Sequence, residues 1–165
     1  MREVAELVVA PSEAKSPIPD YLTPTGSAIS IPYNGSIARL AFGPRVNREV
    51  RAWLRGGGFD VVHVGLGPDA HVCSLFPGHP AALAVKAPAV AVRNSPKPPP
   101  ERYSLTFDAL QHAGRIMVVA GGEGKAEAVR LGLGAPDVLK APASCCRGKQ
   151  TTWYLDKQAN ALMTD

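Results

Sequence analysis

A chain of 165 residues, 45% hydrophobic and 19% charged, has room for one domain with a real core but not for two complete enzymes, since typical domains hold ~100–150 residues. No apolar run approaches the ~20 residues of a membrane span, and Met1-Arg2-Glu3 opens into an acidic segment rather than a secretory leader, so a cytoplasmic location is expected. The formal charge of +4 favours anionic partners without choosing among sugar phosphates, lipids and nucleic acid.

Glycine and proline, 16 of each, predict long connections. Glu6 to Ala10 and Ala28 to Pro32 are Val/Ile-rich runs bounded by turn formers and read as strands, with a Pro/Ser/Thr-rich connection from Pro11 to Ser27 between them. From Pro44 to Arg55 the residues Val46, Val50, Trp53 and Leu54 recur at helical spacing, and three glycines follow, which predicts a helix. Phe59 to Val64 is then a strand entering Gly65. Further strands are expected at Pro88 to Arg93, Tyr103 to Phe107, Arg115 to Ala120 and Thr151 to Leu155. Helices are expected at Asp108 to Ala113, at Gly124 to Leu131, and from an Asp156 N-cap to Leu162. Ser95 to Pro100 is too proline-rich for a sheet centre or a helix interior and reads as a structured loop. The alternation predicts an α/β fold with a Rossmann-like, open, mostly parallel sheet and flanking helices.

Cys73, Cys145 and Cys146 are odd in number and lack the spacing of a zinc site or disulfide framework, so they read as reduced thiols with no metal role. The most informative stretch is Gly65-Leu66-Gly67-Pro68-Asp69-Ala70-His71, which follows a buried-type strand. Closely spaced glycines there let the backbone turn sharply toward a ligand, and crevices lie at strand C-termini in open α/β sheets. A lone histidine is more often structural than catalytic, but one following this strand and loop sits at a site mouth.

The stretch GLGPDAHVCSLFPG resembles the signature of 6-phosphogluconolactonases, within the wider glucosamine-6-phosphate deaminase/isomerase superfamily. Ser95 to Thr106 resembles the SPKPPxRxxLT segment of the lactonases, Gly121 to Ala126 their later GxxKA segment, and Trp153 to Asp156 with Ala159 their closing elements. The likeness covers roughly Phe59 to Leu162, and the Pro-Lys-Pro-Pro block favours lactonase over deaminase. It implies hydrolysis of 6-phosphoglucono-1,5-lactone, a phosphorylated sugar lactone, with no metal or organic cofactor and no nucleic-acid partner. His71 matches the general base. Asp69 is expected to orient its ring, the Gly65 and Gly67 amides to stabilise an oxyanion, and Lys125 to contact phosphate from a helix N-terminus. Arg93, Lys97 and Arg102 are further phosphate candidates, each also readable as a solvated charge. The family usually places Gly immediately before the histidine, where this chain has Ala70; a left-handed backbone there would cost ~1–2 kcal/mol with a Cβ present.

Upstream, a complete lactonase is expected to carry a Gly-Gly-Ser/Thr phosphate loop and an Asp-Glu-Arg segment, and neither occurs in Met1 to Asp60. Instead Pro19-Asp20-Tyr21, Ile31 to Leu40 and Phe42-Gly43-Pro44 resemble the N-terminal domain of phosphatidylinositol mannosyltransferases, from about Leu7 to Val64. That resemblance associates Tyr33, Asn34, Ser36 and Arg39 with a phosphoinositol headgroup. It also associates the helix bearing Arg45, Arg48, Arg51 and Arg55 with weak contact to an anionic membrane surface. The bland reading of that helix is an ordinary amphipathic one with its apolar stripe on the core. Together the two resemblances imply a chimera of segments 1–58 and 59–165 packed as one unit, with weak lactone turnover or none. Glycosyl transfer is not expected, because no glycine-rich nucleotide-sugar loop is present.

Overall fold

The computed structural model describes residues 47–163 apart from positions 49 and 53. The strands expected at 6–10 and 28–32, the connection between them, and Tyr33, Asn34, Ser36, Arg39 and Arg45 lie outside the described residues, as do the first residues of the expected helix from Pro44.

The described residues between 47 and 55 are helical (α1), and the chain then turns through Gly56–Gly58 into β1, Val61–Gly65. Of the apolar stripe, Val50 is buried and Leu54 packs against the same core, so both turn into the protein, as an ordinary amphipathic helix requires. Beyond the site loop come β2 (Ala89–Val92) and β3 (Arg102–Leu105), which pair antiparallel as a two-stranded ribbon. Next are α2 (Phe107–Leu110), β4 (Arg115–Ala120), α3 (Ala126–Leu133) and β5 (Gln150–Leu155). The sheet order is β1-β4-β5, and both pairings are parallel. The fold is thus α/β with a mostly parallel sheet, as the alternating pattern predicts.

Position in the sheet explains composition. Central β4 reads RIMVVA, and one face of it, Ile116, Val118 and Ala120, is buried, while Arg115 and Val119 on the other face are exposed. Edge strand β5 is half-buried along most of its length, and its sequence QTTWYL carries polar residues accordingly. The helix α3 crosses close to β5 at Gly132, where a Cβ would collide with the Trp153 ring. A glycine inside a helix costs about 1 kcal/mol relative to alanine, and here it permits that close packing.

The helical segments differ from expectation in three places. Thr106 caps α2 through its hydroxyl, which accepts from the Ala109 amide, so the helix starts at Phe107 and ends in tight turns before Ala113. The segment expected as a helix from Gly124 opens as a single 3-10 turn, Glu123–Lys125, before α3. The closing helix after Asp156 is instead a series of turns. Asp156 caps them, accepting from the Ala159 amide at 2.7 Å, but Ala159 alone is buried there, leaving no apolar face to hold a helix.

Leu110 has no exposed surface and joins α2 to the core beneath the sheet. We predict that Leu110→Ala lowers unfolding free energy in urea by about 2–5 kcal/mol, the range for emptying a buried leucine site. An unchanged midpoint would mean α2 is not part of the cooperative core.

Candidate active site

Because β1 and β4 run parallel and adjoin, the loops leaving their C-terminal ends open on the same side of the sheet. The first carries His71, the second Lys125. From Leu66 the chain folds back on itself: Leu66 bridges Val72, the Ala70 amide donates to the Gly67 carbonyl at 2.9 Å, and the Gly67 amide donates to the His71 carbonyl at 2.9 Å. This tight reversal lays the imidazole over the Gly67 α-carbon. A Cβ on Gly67 would collide with both the His71 ring and the Asp69 carboxylate.

His71 Nδ1 lies 2.6 Å from Asp69 Oδ1. An ionised carboxylate only accepts, so Nδ1 carries the hydrogen and donates it, leaving the Nε2 lone pair free as a base. Lys97, reaching in from the proline-rich loop, places Nζ 3.1 Å from the same carboxylate oxygen and 3.4 Å from Nδ1. Burial tends to raise the Asp69 pKa, but hydrogen bonds from His71 and Lys97 reverse this and hold the carboxyl below its ordinary 3.8. For His71 burial is the main effect and pushes the pKa below 6.5; Asp69 opposes it, while the charges of Lys97 and Arg102 add to it. The imidazole is therefore neutral at pH 7 and able to accept a proton.

Fully buried Phe76 supports the ring from behind, its centroid 4.4 Å from that of His71, and the Arg102 guanidinium lies 5.4 Å from the same phenyl centroid. Arg102 also donates to the Pro99, Lys97 and Pro98 carbonyls at 3.1, 2.9 and 2.6 Å. It clamps the loop that delivers Lys97, rather than standing free as the phosphate contact expected from sequence. Arg93 is exposed, and its carbonyl accepts from His79 Nε2 at 2.8 Å. Lys125 Nζ donates to the Leu66 carbonyl at 2.6 Å, which brings the ammonium to the residue beside Gly67 and leaves two of its three N–H donors for a ligand.

The amide of Gly67 is a correction. It was expected to face an oxyanion, yet the His71 carbonyl occupies it. Gly65 ends β1 in register with Val119 of β4. Two supports went unassigned at the sequence level. Ser104 accepts from the Ser74 amide at 3.1 Å and so holds the turn after His71, and Asp156 accepts from the Gly122 amide at 2.8 Å, tying the Lys125 loop to β5. A hydroxyl on a strand and an acid after one carry no local signal of these long-range partners. The three cysteines are free thiols, and among the described residues no group of His, Cys, Asp or Glu is arranged to hold a metal ion.

Ala70 has φ +61°, the left-handed conformation that glycine adopts most easily, and is fully buried. Bonds at both ends hold it there, its amide to Gly67 and its carbonyl from the Ala143 amide at 2.9 Å, and the His71–Asp69 contact still forms. Replacing Ala70 by Gly would relieve about 1–2 kcal/mol of strain. It would lose about 0.8 kcal/mol of methyl burial and about 0.5–1 kcal/mol to the freer unfolded chain. We predict that Ala70→Gly changes urea stability by less than about 1 kcal/mol; a loss above about 2 kcal/mol would show that methyl packing outweighs backbone strain.

Comparison with known proteins places this geometry. The family model described as glucosamine-6-phosphate isomerases/6-phosphogluconolactonase matches residues 12–154, a span that runs upstream of the junction expected near Phe59. A 6-phosphogluconolactonase of Streptomyces coelicolor is 45% identical over 102 residues, covering 61% of this chain and 39% of the relative. The human 6-phosphogluconolactonase is 39% identical over 109 residues, 64% of this chain and 42% of that protein. The chain thus spans about two-fifths of the length of these curated relatives. Among solved structures, the 6-phosphogluconolactonase of Thermotoga maritima aligns with a TM-score of 0.65 at 25% identity, over 79% of this chain and 56% of that one. That of Trypanosoma brucei aligns at 0.63 and 26%, over 82% and 58%. Because the match spans residues 12–154, most of this chain, the chain belongs to the glucosamine-6-phosphate isomerase/6-phosphogluconolactonase family.

Proposed function

We propose that the cleft around His71 is a lactone-hydrolysing site acting on 6-phosphoglucono-1,5-lactone. The observation that carries this reading is the imidazole itself: neutral at pH 7, fixed through Nδ1 by Asp69, with Nε2 left as the base. Nε2 removes a proton from water as its oxygen bonds to the lactone carbonyl carbon, and negative charge moves to the carbonyl oxygen. Collapse of that tetrahedral species breaks the ring C–O bond. The departing alkoxide takes the proton back from the imidazolium, giving the open-chain 6-phosphogluconate. Asp69 favours the transient imidazolium without taking its proton. The ammonium groups of Lys97 and Lys125 supply positive charge along this side of the sheet, and Lys125 suits the substrate phosphate. The names of the aligned relatives support the same substrate.

Turnover is expected to be weak. The segment before Phe59 carries no Gly-Gly-Ser/Thr loop, and each charge-assisted contact missing from an anion pocket is worth about 1.5–3 kcal/mol of positioning. Whatever the absolute rate, His71→Ala should reduce it by about 10²–10⁴-fold, the usual contribution of a general base. Equal hydrolysis rates in the two proteins, after subtraction of the uncatalysed reaction, would remove His71 from the mechanism.

The pH dependence tests the electrostatics separately. A base that works unprotonated loses activity as pH falls through its own pKa, so the acid limb of kcat/KM should lie below pH 6.5. The Lys97 charge helps lower that pKa. In Lys97→Ala the His71 pKa rises and the acid limb moves to higher pH. A limb that stays in place, or moves down, would show that Lys97 does not act on the imidazole.

A further inference from the structure

At the other end of the sheet lies a second concentration of positive charge. An open cleft of about 350 Å³ is bounded by Arg51 and Arg55 of α1, by the 86–88 segment before β2, and by Asp108 and His112 near α2. Its size falls within the range of small-molecule sites. Arg55 precedes β1 and His112 precedes β4, whereas His71 and Lys125 follow those strands. Because the two strands are parallel, roughly 15–20 Å of sheet separates the cleft from the imidazole site.

The cleft is held in shape by its own bonds. Lys86 has φ +61°, and both its backbone groups are fixed: its amide donates to the Asp108 carboxylate, and its carbonyl accepts from Arg51 Nη2 at 2.9 Å. Asn47 adds a second tie from α1, its side-chain oxygen accepting from the Ala89 amide at 3.1 Å. A lysine pinned from both sides in a conformation it disfavours is the kind of strain that collects at ligand clamps. Asp108 is the one acid among the described residues of the lining, and its carboxylate is engaged by the Lys86 amide. Neither the Arg55 guanidinium nor the Lys86 ammonium has a hydrogen-bond or ion-pair partner among the described residues. His112 must donate from Nδ1 to the Asp108 carbonyl, 2.6 Å away, which leaves Nε2 as an acceptor for a ligand hydroxyl. Three cations against one occupied carboxylate call for a ligand of about two negative charges, and guanidinium geometry matches phosphate oxygens.

We propose that this cleft is a second anion site, separate from the catalytic one, which binds the phosphate of a small hydroxylated phosphoester through Arg51, Arg55 and Lys86. Arg51 and Arg55, which the sequence associates with an anionic membrane surface, then have a different task. Val50 and Leu54 are committed to the core, and Arg51 is bonded across the cleft.

Lys125→Ala serves as the background for the test, so that phosphate binding near His71 does not contribute. Inorganic phosphate, and separately glycerol 3-phosphate, are titrated at constant ionic strength while the His112 ring protons are followed by NMR. Both should shift the His112 resonances, and Arg55→Gln or Lys86→Gln should weaken binding by about tenfold or more. Urea midpoints verify that the variants remain folded. Lactone hydrolysis by Arg55→Gln in the otherwise native chain should be unchanged, and a failure of the lactonase reading leaves the binding measurement intact. No His112 shift, or a shift indifferent to both substitutions, would overturn the site. Phosphatidylcholine vesicles containing phosphatidic acid are co-sedimented in parallel. Binding to them that depends on Arg55 and Lys86, without any response to the two soluble phosphates, would assign the charge to a lipid headgroup and overturn the proposal as well.

Discussion

The contact between His71 Nδ1 and Asp69 Oδ1 exists because Gly67 has no side chain. The reversal from Leu66 to Val72 stacks the imidazole and the carboxylate over one α-carbon, and a single methyl there would occupy the space of both. Everything the site can do follows from this close approach. It fixes the tautomer, exposes Nε2 as the base and brings Lys97 against the same carboxylate oxygen. The turn is secured on one side by the Ala143 amide and on the other by the Ser104 hydroxyl, so segments far apart in the chain hold seven consecutive residues in shape.

The magnitudes separate positioning from stability. The Lys97–Asp69 pair is more than a third exposed on both sides, and pairs of that kind contribute about 0–1 kcal/mol to folding. Such a pair does not explain why a long side chain is threaded through a loop of four prolines. Its effect on protonation does, since the lysine's hydrogen bond lowers the pKa of Asp69 and its charge lowers that of His71. Arg102 joins in this at one remove: by bonding three carbonyls of the loop it limits where the Lys97 ammonium can go, and its own charge also disfavours imidazolium.

Much of this was legible in the sequence, for identifiable reasons. Buried parallel strands such as RIMVVA have a composition that few other elements share, and β4 lies where its pattern places it. The Gly65 to His71 stretch announced a loop at a strand end, and the pairing of β1 with β4 brings Lys125 to Leu66, a contact with no local signal. The less legible features are long-range. Nothing local marks the Gly67 amide as bonded to the His71 carbonyl, or Arg102 as a clamp on backbone oxygens rather than a free cation. The closing helix failed for a related reason: Asp156 is a sound cap, but a cap without an apolar face behind it yields only turns, and its second oxygen is taken by Gly122.

Charge on this molecule is therefore sorted by the sheet rather than spread evenly. At the C-terminal ends of β1 and β4, cations stand beside a carboxylate and a partly buried imidazole, and their effect is to set protonation. At the N-terminal ends, Arg51, Arg55 and Lys86 face an open cleft whose one carboxylate among the described residues is already engaged by an amide. The same formal charge thus has different consequences at the two ends, because burial and hydrogen-bond partners decide whether a cation tunes a neighbour or remains available to a ligand. Parallel strands make the division possible. Each β-strand carries one loop to the imidazole side and begins from another on the far side, so a small sheet keeps two cation-rich regions about one strand length apart.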